Sequence, residues 1–235
     1  MNTDVDIILF GDSLTFGFWV PKKDSWAYKL QEKYNNITIL NKGINGDTTS
    51  SMLTRFYRDV TSKAPKKVFI MGGTNDLLSG RNINYIVDNI ELMIKDSLSI
   101  GASVIIGIPP IILKDLAENL FMPSNYYDYC DKSLPLLRKK IISLSKKYPF
   151  KYADLYKLTK NHIHEQIFLD GIHLNSLGNE LLFRYIMDII WCYKSSIKPI
   201  YIFHFYAFFT VYYISTSKYS VFWCLIIIII MLVKI

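Results

Sequence analysis

Five short apolar segments alternate with longer segments of helical character, and this alternation constrains the fold more than any other feature of the sequence. The five are rich in β-branched residues and comprise VDIILF (5–10), ITIL (37–40), KVFIM (67–71), SVIIGI (103–108) and FKYADL (150–155). Short apolar runs of this kind are typical of strands buried on both faces of a sheet. Because helical segments separate them, the sequence predicts an α/β fold with a parallel sheet covered by helices on both sides.

Two of the separating segments show a clear helical period. Apolar residues recur at steps of three and four throughout residues 83–101, where Gly101 ends the pattern, and again throughout residues 176–194. In sheets of this kind, ligands bind beyond the carboxyl ends of the strands. Polar residues that directly follow the predicted strands are therefore the first candidates for a functional site.

Charge and cysteine content argue against two classes of function. The net charge is +7, but three of the lysines responsible lie in residues 197–235, which contain no acidic residue, so residues 1–196 carry +4. This small surplus, without a clustered basic stripe, indicates no nucleic-acid partner. The three cysteines, Cys130, Cys192 and Cys224, are far apart and lack the spacing of metal ligands, so we interpret them as reduced thiols and predict no metal site.

The two ends of the chain differ in composition from its middle. The amino terminus has neither the basic region nor the long apolar run of a secretory signal, which predicts a cytoplasmic domain over residues 1–196. Residues 197–235 form a hydrophobic tail whose apolar runs, 200–214 and 221–233, are both shorter than the roughly 20 residues of a membrane-spanning helix. A membrane anchor or re-entrant hairpin, a membrane-surface segment and a non-native extension all stay open. The first two predict membrane association through residues 199–233.

A serine lies where the first predicted strand ends, in the segment FGDSLTFG (10–17). Glycine at Gly11 allows the chain to turn sharply there, so that the Ser13 hydroxyl is presented near the start of a following helix or turn. Backbone N–H groups at such a place can stabilise a negatively charged oxygen. Two interpretations follow: Ser13 caps the helix, or it is a catalytic nucleophile.

A serine nucleophile needs a histidine base that a carboxylate orients. Of the four histidines, only His173 lies in a suitable motif, LDGIHLN, which places Asp170 three residues before it. In a turn, this spacing lets the carboxylate reach Nδ1 of the imidazole while Nε2 faces the serine. His162 and His164 lack companion metal ligands, and His204 lies in the apolar tail.

Acyl transfer also needs hydrogen-bond donors for the oxyanion of the tetrahedral intermediate. The segment NKGINGDTT follows the second predicted strand, and the backbone N–H of its Gly46 has no side chain between it and a substrate. MGGTND follows the third, and its Asn75 offers a side-chain amide. An ordinary turn glycine and a local helix cap are the structural alternatives for Gly46 and Asn75.

The ordered set GDSL, NKGINGDTT, GGTND and DGIHLN resembles the four signature blocks of the SGNH hydrolases, also called GDSL lipases or esterases, and most closely their thioesterase/arylesterase-like branch. The match extends over residues 5 to about 194. This resemblance implies a flavodoxin-like three-layer α/β/α sandwich whose five parallel strands lie in the order 2-1-3-4-5. It also implies a serine hydrolase domain in residues 1–196.

The resemblance assigns a role to each residue found above. Ser13 resembles the nucleophile and His173 the base, oriented by Asp170; the oxyanion hole is implied to consist of Gly46, Asn75 and the backbone N–H of Ser13. The implied activity is that of an esterase or acylhydrolase, which cleaves a small acyl ester or thioester through an acyl-enzyme and needs no metal or organic cofactor. An acyltransferase on the same site, and an idle tethered binding protein, are the alternatives.

Three further features receive weaker assignments from the sequence. Asp12 and Asp76 lie inside the blocks and are predicted to hold loops through hydrogen bonds. Phe18 and Trp19 are candidates for lining an acyl pocket next to the serine. Residues 109–130 are predicted to form a long irregular loop that overhangs the site, with packing of a helix as the alternative for its tyrosines.

Overall fold

The computed structural model describes residues 5–191. The hydrophobic tail predicted for residues 197–235, with its membrane association through 199–233, lies outside the described residues. Five parallel strands form one sheet in the order β2-β1-β3-β4-β5. The strands are β1 (Ile7–Gly11), β2 (Ile39–Gly43), β3 (Lys67–Met71), β4 (Ser103–Ile108) and β5 (Phe150–Asp154). The predicted α/β fold and strand order are confirmed.

Helices lie between the strands and cover both faces of the sheet. They are α1 (Ser13–Phe16), α2 (Trp26–Lys33), α3 (Thr49–Asp59), α4 (Thr74–Leu78), α5 (Ile83–Ser99), α6 (Lys114–Leu120), α7 (Asn125–Leu144), α8 (Leu155–Asn161) and α9 (Ser176–Trp191), with short 3₁₀ turns at Lys22–Asp24, Thr61–Lys63 and Ile163–Glu165. Within this described part of the chain, no helix is both long enough and apolar enough to cross a membrane.

Alternate strand residues point into two separate cores, as the period of a strand requires. Ile8 and Phe10 of β1 join the core under α3, α5 and α7, whereas Ile7 and Leu9 join the core under α2, α8 and α9. Each core consists mainly of buried aliphatic and aromatic side chains. Burial on both faces explains why β1, β3 and β4 appear in the sequence as continuous apolar runs.

The register brings the carboxyl ends of the first three strands to one level. Gly11, the last residue of β1, pairs with Gly43 of β2 on one side and with Met71 of β3 on the other. The sequence placed the second strand at 37–40, too early, because Asn41 and Lys42 are polar. They belong to β2 nevertheless, since an edge strand is only partly buried. The loops that follow these strands start from a common edge.

Residues 109–130 are more ordered than the sequence predicted. They contain the whole of α6 and the first turns of α7, so only short stretches between β4, α6 and α7 lack helix. The Ser124 side chain caps α7 by accepting a hydrogen bond from the backbone N–H of Tyr126 at 3.2 Å. The prediction of one long loop was wrong because Cys130, Leu134 and Leu137 supply a buried helical face that Pro135 obscures in the sequence.

Candidate active site

The chain passes from β1 into a single turn of helix at the serine. Asp12, not Ser13, is the capping residue of α1, because its carboxylate accepts a hydrogen bond from the N–H of Leu14 at 2.9 Å. Ser13 is thus the first residue of the helix, and its side chain is free for another role. Gly11 permits this tight junction: a Cβ there would lie 2.3 Å from Thr15 Oγ1 and 2.4 Å from the Met71 carbonyl oxygen.

Ser13, His173 and Asp170 form a continuous hydrogen-bonded chain. Ser13 Oγ lies 2.9 Å from His173 Nε2, across 160 positions of sequence. His173 Nδ1 lies 2.7 Å from Asp170 Oδ2. A carboxylate on Nδ1 favours the tautomer that carries its proton there, which leaves Nε2 as an acceptor facing the serine hydroxyl. This is the arrangement in which an imidazole can take the proton of a nucleophilic serine.

The Asp170 carboxylate is held by the backbone as well as by the imidazole. Its Oδ1 accepts hydrogen bonds from the N–H groups of Ile172, at 2.9 Å, and His173, at 2.7 Å. Burial alone would raise the pKa of Asp170, but the hydrogen bonds from the His173 side chain and from these two N–H groups hold the pKa below its usual value. Asp170 is therefore ionised at neutral pH and suited to stabilise an imidazolium.

Backbone contacts fix the loop that carries these two residues. Gly171 has a left-handed φ of +87°, and its carbonyl accepts a hydrogen bond from the N–H of Leu113 at 2.7 Å. A Cβ on Gly171 would lie 2.4 Å from the Leu113 carbonyl oxygen. The N–H of Leu169 donates to the His173 carbonyl at 2.8 Å. The segment after β4 thus packs directly on the loop of the histidine, and glycine is required at the contact.

Asn75, at the start of α4, contacts the loop after β2 that carries Gly46. Gly46 lies in a turn closed by a hydrogen bond from the N–H of Asp47 to the Ile44 carbonyl at 3.2 Å, and its φ is +77°. Asn75 Nδ2 donates to the Asp47 carbonyl at 2.9 Å. Because a side-chain amide has two N–H donors, this contact uses one and leaves the other for a ligand. The structure therefore joins the two predicted oxyanion donors through Asp47.

Asp76 anchors the same pair of loops, as the sequence analysis predicted. Its carboxylate accepts hydrogen bonds from the backbone N–H of Thr49, at 2.7 Å, and from the Thr49 hydroxyl, at 2.8 Å. Burial, opposed by these hydrogen bonds, raises the pKa of Asp76. The prediction that Asp12 and Asp76 hold loops through hydrogen bonds is confirmed.

Aromatic residues border His173. The rings of Phe18 and His173 are 4.6 Å apart between centroids, and Trp19 stacks on Phe18 at 5.2 Å. The Trp19 side chain is exposed, with a left-handed φ of +57°. A small cavity opens at the serine; its lining consists of Ser13, Leu14, Gly17, Phe18, His173, Leu174 and Asn179. Phe18 therefore contributes to the wall of the cavity next to Ser13.

The sequence analysis missed Arg55, a buried arginine in α3 whose guanidinium reaches the ends of two strands and the loop that carries Gly46. The signal was present: Arg55 shares the apolar face of α3 with Met52 and Phe56. A charged residue on such a face is rarely buried unless it is paired.

Among residues 5–191, no group of three or more metal-ligating side chains occurs. His162, considered as a ligand, instead contacts Glu165 at 2.7 Å.

Asp12 makes the stability of the protein depend on pH. Its carboxylate is buried, one oxygen has no hydrogen-bond partner in the described part of the chain, and burial raises its pKa to about 7. Between pH 4 and pH 7 the folded state thus holds a proton on Asp12 that the unfolded state has released. The contribution of this group to the free energy of unfolding is therefore complete below pH 4 and is lost as pH rises through 7. We expect Asp12→Asn to gain stability relative to the wild type between pH 4.5 and pH 8, by up to about 4 kcal/mol.

Urea unfolding of both proteins across that pH range measures the difference. The exposed Asp88 of α5 provides the control, because Asp88→Asn should give a curve parallel to that of the wild type. Parallel curves for Asp12→Asn and the wild type would contradict the prediction.

Comparison with known proteins places these motifs in a family context. The model of the family described as GDSL-like Lipase/Acylhydrolase matches residues 9–181. Lipoprotein YqeF of Bacillus subtilis (strain 168), itself uncharacterized, is 35% identical over 134 residues, which make up 52% of this chain and 55% of that protein. An arylesterase of Vibrio mimicus is 33% identical over 111 residues, or 44% of this chain and 56% of that protein. The chain thus spans about half the length of the curated relatives it matches.

Solved structures share the fold over most of both chains. A lipolytic protein of the G-D-S-L family from Veillonella parvula has a TM-score of 0.68 at 23% identity, and the match covers 79% of this chain and 97% of that protein. The esterase EstA from Pseudoalteromonas has a TM-score of 0.64 at 22% identity, with 80% and 97% covered. The described part of the chain therefore has the fold found in G-D-S-L lipolytic proteins.

Proposed function

Because the chain belongs to the GDSL-like lipase/acylhydrolase family, we propose that it is a serine esterase that cleaves carboxylic ester or thioester bonds of small acyl substrates. The observation that carries this proposal is the chain of hydrogen bonds from Ser13 through His173 to Asp170. The Vibrio mimicus relative named arylesterase supports esters as the class of substrate.

The proposed reaction begins with attack by the serine. As Ser13 Oγ bonds to the acyl carbon, its proton passes to His173 Nε2, and the Asp170 carboxylate stabilises the resulting imidazolium. The former carbonyl oxygen takes up the negative charge and accepts hydrogen bonds from the N–H groups of Ser13 and Gly46 and from the Asn75 amide. His173 then donates the proton to the departing alcohol or thiol, which leaves an acyl-serine.

Water completes the proposed cycle. His173 removes a proton from a water molecule, whose oxygen attacks the acyl carbon, and the same donors stabilise the second oxyanion. When the intermediate collapses, the carboxylic acid leaves and Ser13 regains its proton from His173. Every step uses groups of this chain, so the proposal includes no cofactor. Transfer of the acyl group to an alcohol would use the same intermediate and differ only in the acceptor.

Covalent labelling tests the proposal on the full 235-residue chain. A fluorophosphonate phosphonylates an activated serine, so we expect one adduct, located by peptide mass spectrometry at Ser13, and parallel loss of p-nitrophenyl acetate hydrolysis. Adding an alcohol acceptor and analysing the products separates hydrolysis from acyl transfer. A folded protein that neither hydrolyses short-chain p-nitrophenyl esters nor becomes labelled at Ser13 would contradict the proposal and favour an idle binding protein. The domain boundary at residue 196 and the cytoplasmic location stay predictions.

A further inference from the structure

One buried guanidinium joins the ends of two strands to the loop of Gly46. Arg55 Nη2 donates to the Gly11 carbonyl and Nη1 to the Lys42 carbonyl, each at 3.0 Å. Its Nε donates to Asp47 Oδ2 at 2.7 Å. The Arg55 side chain is only 8% exposed. The last residue of β1, the end of β2 and the residue after Gly46 are thus held by one rigid group.

The charge of this guanidinium is balanced inside the protein. Besides Asp47, the carboxylate of Asp59 accepts from Arg55 Nη1 at 3.0 Å, and the ring of Phe10 lies 4.1 Å from the guanidinium carbon. A buried charge with such partners is costly to unpair. Because the N–H groups of arginine lie in a fixed planar fork, a lysine cannot reproduce all of these bonds. The guanidinium therefore fixes the positions of β1, β2 and the loop of Gly46 relative to one another, as well as supplying a charge.

The connection continues from Asp47 to both predicted oxyanion donors. Its backbone N–H closes the turn that contains Gly46, and its carbonyl accepts the Asn75 amide at 2.9 Å. The first residue of that turn, Ile44, donates its N–H to the Gly11 carbonyl at 3.0 Å, the same oxygen that Arg55 contacts. A shift of Asp47 would therefore move the Gly46 N–H and the Asn75 amide together.

We propose that Arg55, acting through Asp47, is a positioning residue that aims the oxyanion donors Gly46 and Asn75 relative to Ser13. The inference rests on the proposed esterase function. Oxyanion donors lower the barrier only when they lie about 3 Å from the position that the charged oxygen will occupy, and a displacement of about 1 Å can cost a hundredfold in rate. Arg55 touches neither substrate nor reacting atoms; it sets the geometry of groups that do.

Two conservative substitutions test the proposal in the full chain. Asp47→Asn keeps the size of the side chain and the backbone carbonyl but removes the charge that holds Arg55, and Arg55→Lys keeps the charge but removes the fork. We expect both to lower kcat for p-nitrophenyl acetate at least about tenfold while KM changes less than about threefold, because the donors bind the transition state more tightly than the ester.

Arg58 provides the matched control. It lies three residues further along α3 and shares the partner Asp59 with Arg55, but its side chain is 71% exposed. Arg58→Met should therefore keep the wild-type kcat. Thermal unfolding of each variant confirms that it is folded at the assay temperature. If Arg55→Lys does not fold, Asp47→Asn decides the outcome.

A double variant distinguishes positioning from a general loss of structure. If Asp47 acts through the Asn75 amide, then adding Asp47→Asn to Asn75→Ala should lower kcat by clearly less than the product of the two separate effects. Wild-type kcat in Asp47→Asn, or fully multiplicative losses in the double variant, would overturn the inference. Wild-type turnover and Ser13 labelling report on the esterase function separately, so a failure of that function is recognised before the variants are compared.

Discussion

Ser13→Ala is expected to lower kcat for p-nitrophenyl acetate by at least about 10⁴-fold and to abolish fluorophosphonate labelling. The variant removes Ser13 Oγ, the proposed nucleophile, which lies 2.9 Å from His173 Nε2, so no acyl-enzyme is expected to form. The residual rate is expected to come from the proposed oxyanion donors acting on attack by water. The fold should persist, because the Asp12 carboxylate still caps α1 through the Leu14 N–H. Steady-state kinetics with matched circular dichroism spectra measure both effects.

A double variant tests whether Ser13 and His173 act together. Because a serine nucleophile and its base act as one unit, adding His173→Ala to Ser13→Ala should cause little further loss. The exposed Ser62 after α3 offers a control, and Ser62→Ala should retain wild-type turnover. If Ser13→Ala retained more than about one tenth of the wild-type kcat, Ser13 would not be the nucleophile.

The sequence predicts the parts of the fold whose pattern is local. β1, β3 and β4 are apolar runs because helices cover both faces of the sheet, and that pattern is visible without any structure. The edge strand β5 exposes Lys151 and Tyr152 and keeps only a weaker apolar pattern. β2 was placed too early, since an edge strand keeps polar residues such as Lys42 and loses the apolar signal. The start of α7 was missed because Pro135 interrupts a helix whose stability comes from packing on the sheet.

The residues of the candidate site also differ in whether a local sequence pattern reveals them. Ser13 and Asn75 lie within four residues of the ends of β1 and β3, and Asp170 and His173 lie shortly before α9. The chemistry of these side chains distinguishes them in the sequence. The sequence shows Arg55 as a charge on the apolar face of α3, but it does not show which groups Arg55 contacts, because Gly11 lies 44 positions away and the loop of Gly46 comes near only in the folded chain. Reactive groups are therefore easier to find from sequence than the residues that hold them in place.

Asp170→Asn is expected to lower kcat by about 10⁴-fold with a much smaller change in KM. The Asn carbonyl oxygen can take the place of Asp170 Oδ1, which accepts from the N–H groups of Ile172 and His173, so the loop keeps its shape. The amide NH₂ then faces His173 Nδ1 in place of Oδ2. An N–H donor at that position favours the tautomer with its proton on Nε2, and such an imidazole cannot accept the proton of Ser13.

A second histidine–carboxylate pair in the chain separates this effect from the general loss of an acidic group. His162 and Glu165 are also three residues apart and are in contact at 2.7 Å, but the pair lies on the exposed 3₁₀ turn after α8. Glu165→Gln should therefore leave kcat unchanged, whereas Asp170→Asn removes nearly all turnover at equal folded fraction. If Asp170→Asn stayed within about tenfold of the wild type, the tautomer of His173 would not depend on Asp170, and the base would need another partner.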